Sequence, residues 1–204
     1  MFWKMFFSTN KQMLGFNNSM KLHKDKSLDR IESWPHHWLV MARGIRMCRW
    51  GLDDLRHFLI GNPLIWWSAN FSVVLLPLYI IIKTIQKKRG GFNFSNEKWD
   101  KFLFAAKIGL VGWVLHFLPF LVMGRIMYIH HYFPALYFAM ISFATLVDHF
   151  ASHYSKTIHF SIIFICGAIF TSTFLYFKDF TFGMTGPFEN YKQKVWLKSW
   201  EFLE

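Results

Sequence analysis

Arg125, His130, His131 and Tyr132 form a tight group of side chains able to hold an anion. They lie in the stretch FLPFLVMGRIMYIHHYFPAL (Phe117–Leu136), between an apolar segment that closes at Gly124 and a second that opens at Pro134. A guanidinium stays protonated and meets a phosphate with a planar fork of N–H donors. Imidazole and phenol groups add single donors to phosphate or sugar oxygens. Polar groups at the junction of two membrane-length segments are costly to dehydrate, and such groups often hold an anionic head group. The plainer alternative is an Arg that snorkels to the interface beside a His pair that caps a helix.

Other candidate chemistry is weaker. The pairs His36-His37 and His130-His131 lack a third ligand at a telling spacing, so no metal is expected. Cys48 and Cys166 lie far apart and form neither a disulfide framework nor a metal spacing. Asp53-Asp54 are adjacent carboxylates before the first apolar segment and read as a solvated or helix-capping pair. Asp148 reads as a boundary residue, so no catalytic carboxylate is identified.

The elements that must position the cationic group follow from composition. The 204 residues are 53% hydrophobic and 21% aromatic, with 25 Phe and 10 Trp, which favours a membrane protein over a soluble domain. The formal charge of +11 comes from basic residues that flank apolar segments, which suits an anionic membrane surface better than nucleic acid. Four spans are expected, at about 64–82, 102–123, 133–147 and 158–177, within an all-α membrane region covering 63–178. Pro77 is expected to kink the first. Trp66, Trp67, Tyr128, Tyr132, Tyr154 and Tyr176 sit at span ends, as interfacial aromatics do. Lys107 and His116 fall inside the second span on different faces, Lys107 snorkelling to one edge and His116 bonding within the bundle.

Residues 1–62 read as a luminal or interfacial linker, with Glu32–Leu59 an amphipathic helix along the membrane, Trp and Leu down and Arg up. MFWKMFF is too short for a signal peptide. Residues 179–204 form a Trp-rich tail entered through a turn at Gly183 and Gly186-Pro187. The basic stretch Lys83–Lys101 points to the cytoplasm, but Arg46, Arg49, Arg56, Lys178, Lys192 and Lys194 on the other side bring charge counting close to a tie. Of three N-x-S sequons, Asn70 lies within a span and is unreachable, while Asn17 and Asn93 flank one span and cannot both face a lumen.

Five blocks in order carry a resemblance: GIRMCRWG (Gly44–Gly51), IGNPLIWW (Ile60–Trp67), FLPFLVMGRIMYIHHYFPALYF (Phe117–Phe138), FGMTGP (Phe182–Pro187) and WLKSW (Trp196–Trp200). Together with the opening FWKMFFSTNKQMLGFNNSM, they resemble the C-terminal membrane region of the protein O-mannosyltransferases over almost the whole chain. The resemblance implies the C-terminal part of a GT-C-type glycosyltransferase fold in a multi-pass endoplasmic-reticulum protein. It implies transfer of mannose from dolichyl phosphate mannose to Ser or Thr of secretory-pathway proteins. It also implies luminal termini, a cytosolic Lys83–Lys101 loop and dimerisation with another mannosyltransferase chain.

In that frame Arg125 is the expected donor-phosphate contact, with His130, His131 and Tyr132 as further donors. The donor lipid is a substrate, and no cofactor is expected. The family's acidic catalytic pair lies upstream of anything in this sequence. The chain is therefore expected to be a fragment or truncated product supplying the donor-handling half, and whether it is an enzyme on its own stays open. One alternative is a non-catalytic membrane subunit or scaffold that pairs with a complete mannosyltransferase. A small channel or transporter is the remote alternative, since the fourth span offers only Ser161, Thr171, Ser172 and Thr173 as polar lining.

Overall fold

The computed structural model describes residues 1–19, 32–47, 55–91, 95–123 and 125–200. Cys48, Arg49, Asp53, Asp54 and Asn93 lie outside the described residues, as does the side chain of Asn17. Helix α1 (Phe2–Ser19) is followed by the short α2 (Pro35–Leu39) and an antiparallel pair, β1 (Ile45–Met47) with β2 (His57–Leu59). Four long helices come next: α3 (Pro63–Lys88), α4 (Asn96–Val122), α5 (Phe133–Ala151) and α6 (Lys156–Phe182). All four are long and apolar enough to cross a membrane, the third counted from Ile129 with its leading 3-10 turn. The chain is a multi-pass, all-α membrane protein in its architecture, and the β pair is a small appendage.

Each long helix begins where its sequence allows. Asn62 caps α3, its Oδ1 accepting from Leu64 N (3.2 Å) and Ile65 N (3.3 Å), and Pro63 fills the first helical position. Ser95 and Ser155 cap α4 and α6 through their hydroxyls. The helices run further than apolar content alone suggests. Lys83, Lys87 and Lys88 belong to α3 and Lys98 and Lys101 to α4, so the expected basic loop shrinks to the connection 89–95. Extending a helix satisfies its backbone internally, and lysine stems reach the interface from inside it.

Helices α3, α4 and α5 form the packed bundle. Gly109 and Gly112 of α4 face α5 so closely that a Cβ on Gly109 would stand 2.4 Å from Ser142 Oγ, and one on Gly112 2.2 Å from the Phe138 ring. Small residues at such a contact let helix backbones approach in lipid, where dispersion replaces the hydrophobic drive. Helix α6 shows most of its surface outward, with Thr173, Phe177 and Phe180 buried.

Glu32–Leu59 is not one amphipathic helix lying on the membrane. Among the described residues of that segment only Pro35–Leu39 is helical, and β1 and β2 follow. The segment is held by side chains that donate to carbonyls at and just past the C-terminal end of α2. Trp66 Nε1 donates to Trp38 O (2.5 Å), Asn70 Nδ2 to Leu39 O (2.7 Å), Trp67 Nε1 to Val40 O (3.0 Å) and Trp200 Nε1 to Met41 O (2.8 Å). Four carbonyls at and just past a helix end thus gain donors from α3 and the tail, Trp38 O in addition to its bond from Met41 N (3.1 Å). Trp66 and Trp200 are buried as a result, so Trp66 serves the core rather than an interfacial belt.

Arg56 also differs from its expected outward position, being 1% exposed. Its backbone pairs with Met184, Nη2 donates to Gly186 O, and its guanidinium lies 4.1 Å from the Phe188 ring centroid. Gly183 (φ 114°) and Gly186 (φ 79°) take left-handed backbone on either side, forming the expected turn.

Candidate functional site

The junction between α4 and α5 is built so that its polar groups fall into two sets. Tyr132 ends the 3-10 turn Ile129–Tyr132 with its side chain pointing into the core, and it is fully buried. Its hydroxyl accepts from Trp113 Nε1 (2.8 Å) and donates to Asn70 Oδ1. That commitment corrects its expected part as a free donor: both hydrogen-bonding directions of the phenol are used inside the bundle. Asn70 is engaged at both ends of its amide, which agrees with its unreachability as a sequon.

Arg125 and His131 form the second set. Arg125 is half-buried, and its Nη2 lies 3.2 Å from His131 Nε2. His131 Nδ1 lies 3.1 Å from Tyr128 O and 3.2 Å from Tyr128 N. The tautomer with its proton on Nδ1 satisfies both outer contacts, donating to Tyr128 O and leaving the Nε2 lone pair for Arg125. His130 is exposed and stacks on His131, with centroids 4.4 Å apart.

Arg125 opens on a cleft of about 290 Å³ shared with Glu32, Ser33, Trp34, His37, Arg43 and Met127. The far wall comes from the segment before and after α2. Ser33 N donates to Met127 O (2.9 Å), and Trp38 Nε1 donates to Ser33 Oγ (2.8 Å), which docks that segment beside Arg125. Arg43 Nη1 donates to Glu32 O (3.0 Å). The cleft brings two guanidinium groups and one carboxylate together, a net formal charge of +1 (two Arg less one Glu), with neutral His37 leaving it unchanged. Burial, and then the positive charge of His36 and Arg43, holds the His37 imidazole below its ordinary range. Its Nδ1 is buried with no hydrogen-bond partner among the described residues.

Sequence reasoning found Arg125 and His131 but not Glu32, His37 and Arg43 as members of one site. Trp34-Pro35 beside a basic segment was the available signal, and it carried no pairing information. His116 stands apart, bonded to Gly112 O of its own helix (2.8 Å), and Lys107 is exposed on the outer face of α4. Among the described residues no group of three or more His, Cys, Asp or Glu is arranged to hold a metal ion.

Residues 2–200 match the family described as the C-terminal four TMM region of protein-O-mannosyltransferase. The chain belongs to that family. It is similar to dolichyl-phosphate-mannose–protein mannosyltransferase 3 of Saccharomyces cerevisiae, at 32% identity over 100% of this chain and 28% of that protein. It is also similar to dolichyl-phosphate-mannose–protein mannosyltransferase 6 of Candida albicans, at 35% identity over 98% of this chain and 26% of that protein.

The solved S. cerevisiae protein O-mannosyltransferase Pmt1-Pmt2 complex bound to the sugar donor shares the fold. The TM-score is 0.79 at 24% identity, over 98% of this chain and 27% of that one. The four spans are thus the C-terminal part of a GT-C-type protein O-mannosyltransferase fold. The chain covers little more than a quarter of the length of these relatives.

Proposed function

We propose that this protein O-mannosyltransferase region handles the donor lipid in mannose transfer from dolichyl phosphate mannose to Ser or Thr of secretory-pathway proteins. The convergence of Arg125 and Arg43 on one cleft at the membrane edge carries the reading. In the reaction a hydroxyl oxygen bonds to the anomeric carbon as the bond from that carbon to the phosphate oxygen breaks. The leaving group is an anionic dolichyl phosphate. Fixed guanidinium donors stabilise the charge that builds on that oxygen, and His131 holds the Arg125 fork in place. His130, exposed above the pair, is placed to meet the sugar or phosphate from the open side.

The acceptor proton goes to a base that this chain has not been assigned, in keeping with the upstream acidic pair that the family resemblance implies. An endoplasmic-reticulum setting, cytosolic placement of the 89–95 connection and pairing with another mannosyltransferase chain belong to the same proposal. The names of the curated relatives support the activity, and the assembly named for the solved complex supports the pairing.

The test is donor binding by the purified chain in lipid nanodiscs, read by photo-cross-linking to dolichyl phosphate mannose with dolichyl phosphate as competitor. Arg125→Ala is expected to weaken binding about tenfold or more, the scale of one charge-assisted hydrogen bond, and Arg43→Ala to weaken it less. Equal binding by wild type and both variants would overturn the assignment. Mannose transfer to a Ser/Thr-rich peptide, measured with and without an upstream half supplied separately, then separates a donor-handling region from a scaffold that binds donor without supporting transfer.

A further inference from the structure

A second polar cleft lies at the opposite end of the bundle. It holds about 840 Å³ between the start of α4 and the end of α5, and its charged and polar lining includes Lys98, Lys101, Asp148, His149 and His153. It is remote from Arg125 because α4 and α5 run antiparallel, with residues 95–105 and 144–153 at one end and 117–133 at the other.

The charged lining is two lysines against one carboxylate, and most of the polar groups facing the cleft are committed to neighbours. Lys101 pairs with Glu97 (2.7 Å), and Asp148 meets His159 Nε2 (3.2 Å). His149 Nε2 meets the Tyr79 hydroxyl (2.8 Å), His153 Nδ1 meets His149 O (2.7 Å), and Ser152 Oγ donates to the same carbonyl (2.8 Å). Among the described residues no acidic group pairs with Lys98. Phe102, Ala105 and Ala144 give the cleft an apolar wall beside its polar groups. A polar mouth with a lysine beside an apolar wall fits an amphiphile whose head group carries phosphate. Lys83, Lys87, Lys88 and Arg89 at the end of α3 add a positive field at the same end of the bundle.

We infer that this cleft, lined by Lys98, Lys101 and His153, binds a phosphate-bearing head group at the membrane edge opposite the donor site. The phosphate belongs either to an anionic lipid or to a phosphate ester in solution. The site makes no use of the donor-handling assignment and stands or falls separately from it.

The test uses the full chain in phosphatidylcholine nanodiscs doped with phosphatidic acid, with retained lipid counted by native mass spectrometry. Wild type is expected to retain phosphatidic acid over phosphatidylcholine. Lys98→Gln with Lys101→Gln should lower that retention about tenfold, and Ser152→Trp, which fills the cleft without altering charge, should lower it too. Lys88→Gln with Arg89→Gln removes the same charge at exposed positions outside the cleft and should have a clearly smaller effect. Equal losses from the two double variants, or no preference in wild type, would overturn the site. Displacement of the lipid by about 10 mM inorganic phosphate would identify a site open to soluble phosphate, and resistance to it a lipid site, since a phosphate held at membrane depth is screened less than one in solvent.

Discussion

Ser33 donates its backbone N–H to the carbonyl of Met127 across 2.9 Å, and this bond sets the segment carrying His37 and Arg43 opposite Arg125. The two halves of the cleft meet through main chain, so the contact survives most changes of side chain. Ser33→Pro removes the donor itself and is expected to weaken donor-lipid cross-linking several-fold while Arg125 remains in place. Ser33→Ala keeps the N–H and removes only the acceptor of the Trp38 indole, so its effect should be smaller. Cross-linking yield for the two variants side by side checks this order.

A pH dependence follows from His37. Its folded-state pKa lies below the ordinary 6.5, so as the pH falls through 6.5 the unfolded chain takes up the proton first. Stability is then expected to be full above that value and to decline on acidification below it. His37→Gln should flatten this part of the profile. Thermal unfolding of the detergent-solubilised chain from about pH 7.5 to about pH 5 makes the comparison.

Asn70 links three elements, donating to Leu39 O and accepting from the buried Tyr132 hydroxyl. Asn70→Leu removes both bonds and leaves the phenol and the carbonyl without their partner. A loss of about 2 kcal/mol is expected, the cost of stranding buried polar groups. Tyr132→Phe also removes two bonds, stranding Trp113 Nε1 and Asn70 Oδ1, and should cost a similar ~2 kcal/mol. Chemical denaturation of each variant in mixed micelles reads the two losses, and a negligible loss in either would contradict the role of this network.

Helix contact between α4 and α5 depends on the absence of side chains at two positions. Gly112→Val is expected to destabilise the bundle by about 1–3 kcal/mol, because the Phe138 ring has to move from its place. Gly167 of α6, which has nothing within 4 Å of a built Cβ, should accept Val with little effect. The two unfolding midpoints, measured in the same detergent, test whether packing or helix propensity governs the α4 position.

Much of this architecture was readable before any contact was known. Four apolar runs near bilayer length predicted four membrane helices, because a chain in lipid must satisfy its backbone within each segment. Helix ends were less legible: Lys83–Lys88 and Asn96–Lys101 are polar enough to look like loop, yet they continue α3 and α4. Ser95, which caps α4, starts that helix ahead of its apolar run.

At the site, residue type revealed Arg125 and His131, since a guanidinium beside imidazoles at a span junction is costly unless used. Type could not separate Tyr132 from its neighbours. The 3-10 turn rotates it inward toward Trp113 and Asn70 while leaving His130 exposed, a difference of direction that adjacent positions in a sequence do not encode.

The sequence by itself determined the membrane class, the four spans, the family and the cationic junction, because each rests on local composition or on short ordered motifs. Tertiary structure alone decided that Glu32, His37 and Arg43 share a cleft with Arg125, that Arg56 is buried against the tail, and that Trp66, Trp67 and Trp200 cap α2. The physical reason is the same in each case. These groups meet across long stretches of chain, and the partners of Arg56 and the three Trp are backbone carbonyls, which every residue carries and no residue type announces.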